Sequence, residues 1–89
     1  MYAVNRFGNY QCPCCGYFTL SEGRSNSFEI CKVCFWKDDR YQLDNPEDAY
    51  GPNQVCLIES RRNFQEFGAM EKEFLRFVRP PKPEELPDA

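Results

Sequence analysis

Cys12 and Cys15 stand three positions apart, Cys31 and Cys34 repeat the interval, and fifteen residues separate the two pairs. Few patterns constrain a chain of 89 residues more tightly. Thiolates three positions apart on a tight turn reach the same side of the backbone, so two such turns can face each other across one ion. The spacing C-x2-C-x15-C-x2-C therefore predicts a metal centre made by Cys12, Cys15, Cys31 and Cys34. Four thiolates suit one tetrahedral, structural Zn²⁺. Pro13 follows Cys12, where its fixed φ suits the second position of a turn. Gly16 follows Cys15, where a positive φ would aim amides at the sulfurs as N–H···S bonds. The second pair is less ideal, with Phe35 in the place that Gly16 holds in the first.

Other uses of the cysteines fit less well. A disulfide framework needs an oxidising compartment, and cysteines at 12, 14 and 15 make clean pairing awkward. A thioredoxin-like redox site would sit beside a βαβ pattern, which the sequence lacks. Zinc bound by thiolates stabilises small peptides by about 10–16 kcal/mol, against about 5–15 kcal/mol for the stability of a whole domain. The metal-free ribbon is therefore expected to lose its tertiary structure. Cys14, third in the first turn, is expected to point away from the ion as a packing or exposed thiol. Cys56 is read as a helix cap or a buried small residue, with Glu59 three positions on as in a capping box.

The chain is near the size at which a hydrophobic core alone is marginal, so a metal staple is in keeping with its length. Its composition, 42% hydrophobic and 16% aromatic, argues for a packed globule. With neither a signal-like nor a membrane-spanning apolar run, the expected location is the cytoplasm. Four segments are expected within a single domain 1–89: a zinc ribbon over 10–36, an acidic loop over 37–55, a helical region over 56–79 and a frayed tail over 80–89. The lead-in offers Tyr2, Val4, Phe7 and Tyr10 for packing. Between the cysteine pairs, 17–20 and 27–30 read as two strands of a β-hairpin turning through 21–26, with Gly23 and Asn26 able to take left-handed angles. The loop is rich in turn formers, with Tyr41, Leu43 and Tyr50 available to pin it.

From Leu57 the period becomes helical. Leu57, Ser60, Phe64 and Phe67 share one face, and Gly68 suits a C-terminal cap. A second turn-and-helix is expected to point Met70, Phe74, Phe77 and Val78 inward and to stop at Pro80 and Pro81. The expected fold is α+β: a small two-knuckle zinc ribbon packed on one or two C-terminal helices. Its core is expected to draw on Tyr17 or Phe18, Phe28, Ile30, Trp36, Leu57, Phe64, Phe67, Phe74 and Phe77.

The runs Cys12-Pro-Cys-Cys-Gly-Tyr, Glu29-Ile-Cys-Lys-Val-Cys-Phe-Trp and Asn63-Phe-Gln-Glu-Phe-Gly-Ala resemble the cysteine-rich CPCC family of small bacterial proteins. The resemblance covers about 10–69 and implies a stand-alone bacterial domain with a zinc site, but no mechanism. The chain departs from the family pattern at Cys56, where Ser would be expected before the helix.

Function classes can be weighed from the same residues. Without histidine there is no ordinary imidazole base, and four cysteines close the metal shell that a catalytic zinc keeps open. Asp38 and Asp39, or Asp44, Glu47 and Asp48, read as solvated or turn-forming carboxylates, so enzymatic activity is not expected. The net charge is −3, falling to about −5 when four thiolates and a dication are counted. That favours a basic partner over a nucleic acid. The alternative, a nucleic-acid-binding ribbon, would use Arg24, Lys32, Lys37, Arg40, Arg61 and Arg62 with Phe35 and Trp36 for stacking. The preferred reading is a zinc-stabilised protein-interaction module presenting the loop and the aromatic strip near Trp36.

Overall fold

In the computed structural model, which describes residues 2–23 and 27–88, each C-x2-C turn is braced by the residues that enter and leave it. Around the first turn Tyr10 and Leu20 exchange backbone hydrogen bonds of 2.8 and 3.1 Å, and Cys12 N–H donates to the Tyr17 carbonyl at 2.9 Å. Around the second, Ile30 bridges to Lys37, and Cys31 N–H donates to the Trp36 carbonyl at 2.9 Å. The two turns also close alike. Gly16 N–H donates to Cys12 O at 3.0 Å and Phe35 N–H donates to Cys31 O at 2.8 Å. Gly16 takes φ 83° and Phe35 takes φ 75°, so a bulky residue adopts the left-handed conformation that glycine supplies in the first turn.

This local bracing displaces the expected hairpin. Among the described residues the strand pairing is limited to isolated antiparallel bridges, and 17–20 does not pair with 27–30. The donors beside each turn are satisfied by partners a few residues away. Phe28, at φ 58°, also interrupts the second run, because an extended strand cannot pass through a left-handed residue. Gly23 does not take the left-handed angle expected of it. A Cβ there would instead fall 2.6 Å from the Tyr10 ring, and Asn26 lies outside the described residues.

The expected acidic loop contains a short helix, α1 (Arg40–Asp44), with Asp39 as N-cap accepting from Gln42 N–H at 3.0 Å. Its interior is held by two amides. Gln42 and Asn53 are both buried. Gln42 Oε1 accepts from Asn53 N–H at 3.1 Å and Nδ2 at 2.9 Å, while Asn53 exchanges two 2.8 Å bonds with the Lys37 backbone. Asp38, expected at the surface, is buried and accepts from the Tyr2 hydroxyl and from Ser27 N–H and Oγ. Burial, then this carboxylate, push the Tyr2 phenol well above its usual range. Of the three expected pins only Leu43 packs against the core. Tyr41 and Tyr50 are exposed and meet each other edge to face at 5.6 Å.

Helix α2 (Leu57–Phe67) buries Leu57 and Ser60 and sets Phe64 against Tyr17, with ring centroids 6.2 Å apart. It ends at Gly68, which takes φ 95° and donates to Phe64 O at 3.0 Å. The next segment is a 3-10 helix, Lys72–Phe77. In a three-residue period Phe74 and Phe77 lie in line. Both stack on Phe35, at 4.6 and 5.5 Å, so they do not turn into the interior together. Phe77 is 55% exposed, as are Phe28 at 53% and Ile30 at 41%, and these three leave the expected core. Phe67 is half-buried. Leu20, Val33 and Met70 join Phe18, Trp36 and Leu57 inside.

The tail is tied down through residue 88. Asn5, itself buried, donates to the carbonyls of Glu84 at 2.9 Å and Leu86 at 3.2 Å. Glu85 is buried, takes a two-point bond from Arg79 at 2.8 and 2.9 Å, and offers its carbonyl to Phe18 N–H. Arg79, first, then holds the Glu85 carboxyl below its usual range. A part-buried ion pair, not a greasy run, anchors this proline-rich stretch, which is why composition reads it as loose.

Two substitutions test the ends of α2. Nothing lies within 4 Å of a Cβ at Gly68, so Gly68→Ala carries only the left-handed penalty and is expected to lower stability by about 1 kcal/mol. Cys56 occupies the N-cap without a side-chain hydrogen bond, so Cys56→Ser is expected to raise stability by about 0.5–1 kcal/mol. Chemical denaturation of the metal-loaded protein followed by circular dichroism reads both shifts.

Candidate metal centre

The two turns face each other, and the Sγ atoms of Cys12, Cys15, Cys31 and Cys34 all lie within 4.8 Å of one another. Two edges of this cluster cross between the turns, Cys12 to Cys34 at 3.6 Å and Cys15 to Cys31 at 3.7 Å. Four sulfurs about 2.3 Å from a central tetrahedral ion stand about 3.8 Å apart. The observed edges match that figure, and all six cysteines are free. Cys12, Cys31 and Cys34 are buried and Cys15 is half-buried. The donor set, its spacing and its enclosure therefore fit one four-coordinate metal ion.

The electrostatics favour the same occupant. Burial pushes the Cys12 and Cys34 thiols well above their usual range, while Cys12 and then Cys15, acting as hydrogen-bond donors, pull Cys31 well below it. Sulfurs so close together in a largely buried space resist carrying charge at the same time. A dication lets all four ionise in a space that otherwise resists charge. Around them, Thr19 Oγ1 lies 2.9 Å from Cys31 Sγ and Trp36 N–H donates to Cys34 Sγ at 3.5 Å. Gly16 takes the expected positive φ, and its own amide donates to the Cys12 carbonyl. Thr19 carried no mark in the sequence, since its role follows from the fold of 17–20 back beside the first turn.

Cys14 is a packing residue, buried beside Cys34 and Ser60. Interaction with Cys34 draws its thiol below the usual range, with burial opposing and the Ser60 hydroxyl assisting. Cys56 is not among the four clustered sulfurs and stands at the N-cap of α2. Trp36 is 1% exposed, so it supports the second turn from within and cannot form a surface strip. Of the basic residues considered for nucleic acid, Arg40 pairs with Asp44 at 3.1 Å and Arg61 donates to the Pro13 carbonyl at 2.8 Å. Lys32 and Arg62 are exposed, Lys37 is half-buried, and Arg24 lies outside the described residues.

These features define a small cysteine-rich domain with helices, little strand and a four-thiol centre able to hold a metal. The chain belongs to the cysteine-rich CPCC family, whose model matches residues 10–85. No curated protein matches it. Among the described residues, no helix is long and apolar enough to cross a membrane.

Thr19→Val keeps the shape of the side chain and removes its hydroxyl from Cys31. It is expected to weaken metal affinity by about tenfold, the low end for loss of a partner that orients a ligand. Competition against a chromophoric chelator measures the change, with the dispersion of amide NMR signals checking that the loaded fold persists.

Proposed function

We propose that this chain is a structural-zinc protein-interaction module, in which two facing knuckles of zinc-ribbon type are fastened by Cys12, Cys15, Cys31 and Cys34. The observation that carries this reading is the enclosed four-sulfur cluster, with edges of 3.6 and 3.7 Å. Four protein thiolates complete a tetrahedral shell, leaving zinc no open position for water or substrate, so the ion holds structure and does no chemistry. Six free thiols persist in a reducing compartment such as the bacterial cytoplasm.

What the ion fastens is a body that presents the loop 37–55. In it Tyr50 is 77% exposed and meets Tyr41 edge to face, and Asp44 and Glu47 are also at the surface. Aromatic rings give large contact area for little conformational entropy, and flanking carboxylates complement a basic partner. The buried Gln42 and Asn53 amides hold this loop in shape before any partner arrives, which lowers the ordering cost of binding.

Native mass spectrometry of protein purified without added metal is expected to show one zinc per chain. Removing it with a strong chelator is expected to abolish the cooperative thermal transition and collapse amide NMR dispersion. A metal-free chain that stays folded would overturn the structural role. A basic partner recovered by wild-type protein and lost with Tyr50→Ser would identify the loop as its contact.

A further inference from the structure

A second surface has the opposite chemistry. Ile30 and Phe35 form the common wall of two hollows, one of about 200 Å³ reaching Met70 and Phe74, the other of about 390 Å³ reaching Lys32 and Phe77. The wall is apolar and open, with Ile30 41% and Phe77 55% exposed. Phe35 holds this wall in place at φ 75°, a conformation in which a bulky side chain is an outlier and for which the first turn uses Gly16. The ring kept there stacks on Phe74 and Phe77 and divides the two hollows.

The charges bordering Ile30, Phe35 and Phe77 include three cations. Lys37 borders the first hollow, Lys32 borders the second, and the Arg76 guanidinium lies 5.1 Å from the centre of the Phe77 ring. Among the described residues Lys32, Lys37 and Arg76 have no ion-pair partner, whereas the nearby Arg79 is answered by Glu85. On the far wall of the first hollow, Gln54 faces Glu71 and Glu73. The arrangement therefore has a polarity: an apolar seat beside Met70 and Phe74, and positive charge toward Lys32 and Arg76.

We propose that this strip, formed by Ile30, Phe35 and Phe77 and bordered by Lys32, Lys37 and Arg76, docks a short acidic segment of a partner protein that inserts an apolar side chain beside Phe74. It rests on the interaction-module reading and shares Lys37 with the acidic loop, but it does not use that loop's exposed Tyr50. A short acidic segment needs only the three unanswered cations, and its apolar residue fills a hollow the chain leaves open. A nucleic acid would lay a continuous line of phosphates past Glu71 and Glu73, which favours the peptide.

The test selects random twelve-residue peptides displayed on phage against the zinc-loaded full chain, then titrates the enriched peptide, fluorescein-labelled, by anisotropy. Expected are sequences combining Asp or Glu with Leu, Ile or Phe. Their affinity should fall at least tenfold in the Lys32→Glu, Arg76→Glu double variant and at least fivefold in Phe77→Ser, and stay unchanged in Tyr50→Ser. These side chains are at the surface, and zinc stoichiometry checks that each variant is folded. No enrichment, enrichment of basic peptides, or binding indifferent to the strip variants would overturn the proposal. So would tighter binding of a deoxythymidine oligonucleotide at the same residues, or sedimentation showing that the strip is covered by a second copy of the chain. Capture of a basic partner through Tyr50 alongside any of these failures would leave the interaction-module reading intact while this surface falls.

Discussion

Four crowded sulfurs, three of them buried, that resist being charged together without a cation are the constraint on which the molecule depends. Sulfur atoms 3.6 to 3.7 Å apart across two turns are too close to ionise together and too far apart for a disulfide bond. The segments that complete the fold rest on these turns. Met70 N–H donates to the Cys34 carbonyl, Arg79 N–H to that of Lys32, and Arg61 reaches the carbonyl of Pro13. The helices are thus fastened to the loops that carry the cysteines, which reverses the usual order in which loops decorate a helical or sheet core. In so small a chain the apolar interior is an extension of the sulfur cluster, with Leu20, Val33, Trp36, Leu57 and Met70 packed around it.

The parts legible in the sequence were those whose cause is local. A ligand pair three residues apart constrains a single turn, so the grouping of Cys12, Cys15, Cys31 and Cys34 follows from spacing alone. Helix α2 is equally local, with Leu57 and Ser60 buried on one face and Gly68 ending it in the left-handed conformation. The illegible parts depend on distant partners or on competition between neighbours. Alternation over 27–30 looks like a strand, yet Phe28 turns left-handed and the segment bridges forward to Lys37. Asp38 looks like a surface carboxylate until Tyr2 and Ser27 are brought to it. Phe74 and Phe77 suit an α-helical face, but a 3-10 winding lines them up on Phe35.

Phe35 shows how one position serves two demands. The second turn needs a left-handed residue after its last cysteine, and glycine would meet that need most easily. The ring there gives the 3-10 helix a surface to stack on, which glycine could not, so backbone strain is exchanged for the docking of a whole segment. The exchange also leaves aromatic surface in the open, because one ring supports two others and only Phe74 is drawn toward the core.

The clasp between Asn5 and the carbonyls of Glu84 and Leu86, extended by Arg6 N–H donating to Asp88 at 3.0 Å, ties residues 5–6 to residues 84–88. A chain shortened before Glu84 would strip the buried Asn5 amide of both carbonyls it donates to, so the lead-in would lose its anchor along with the tail.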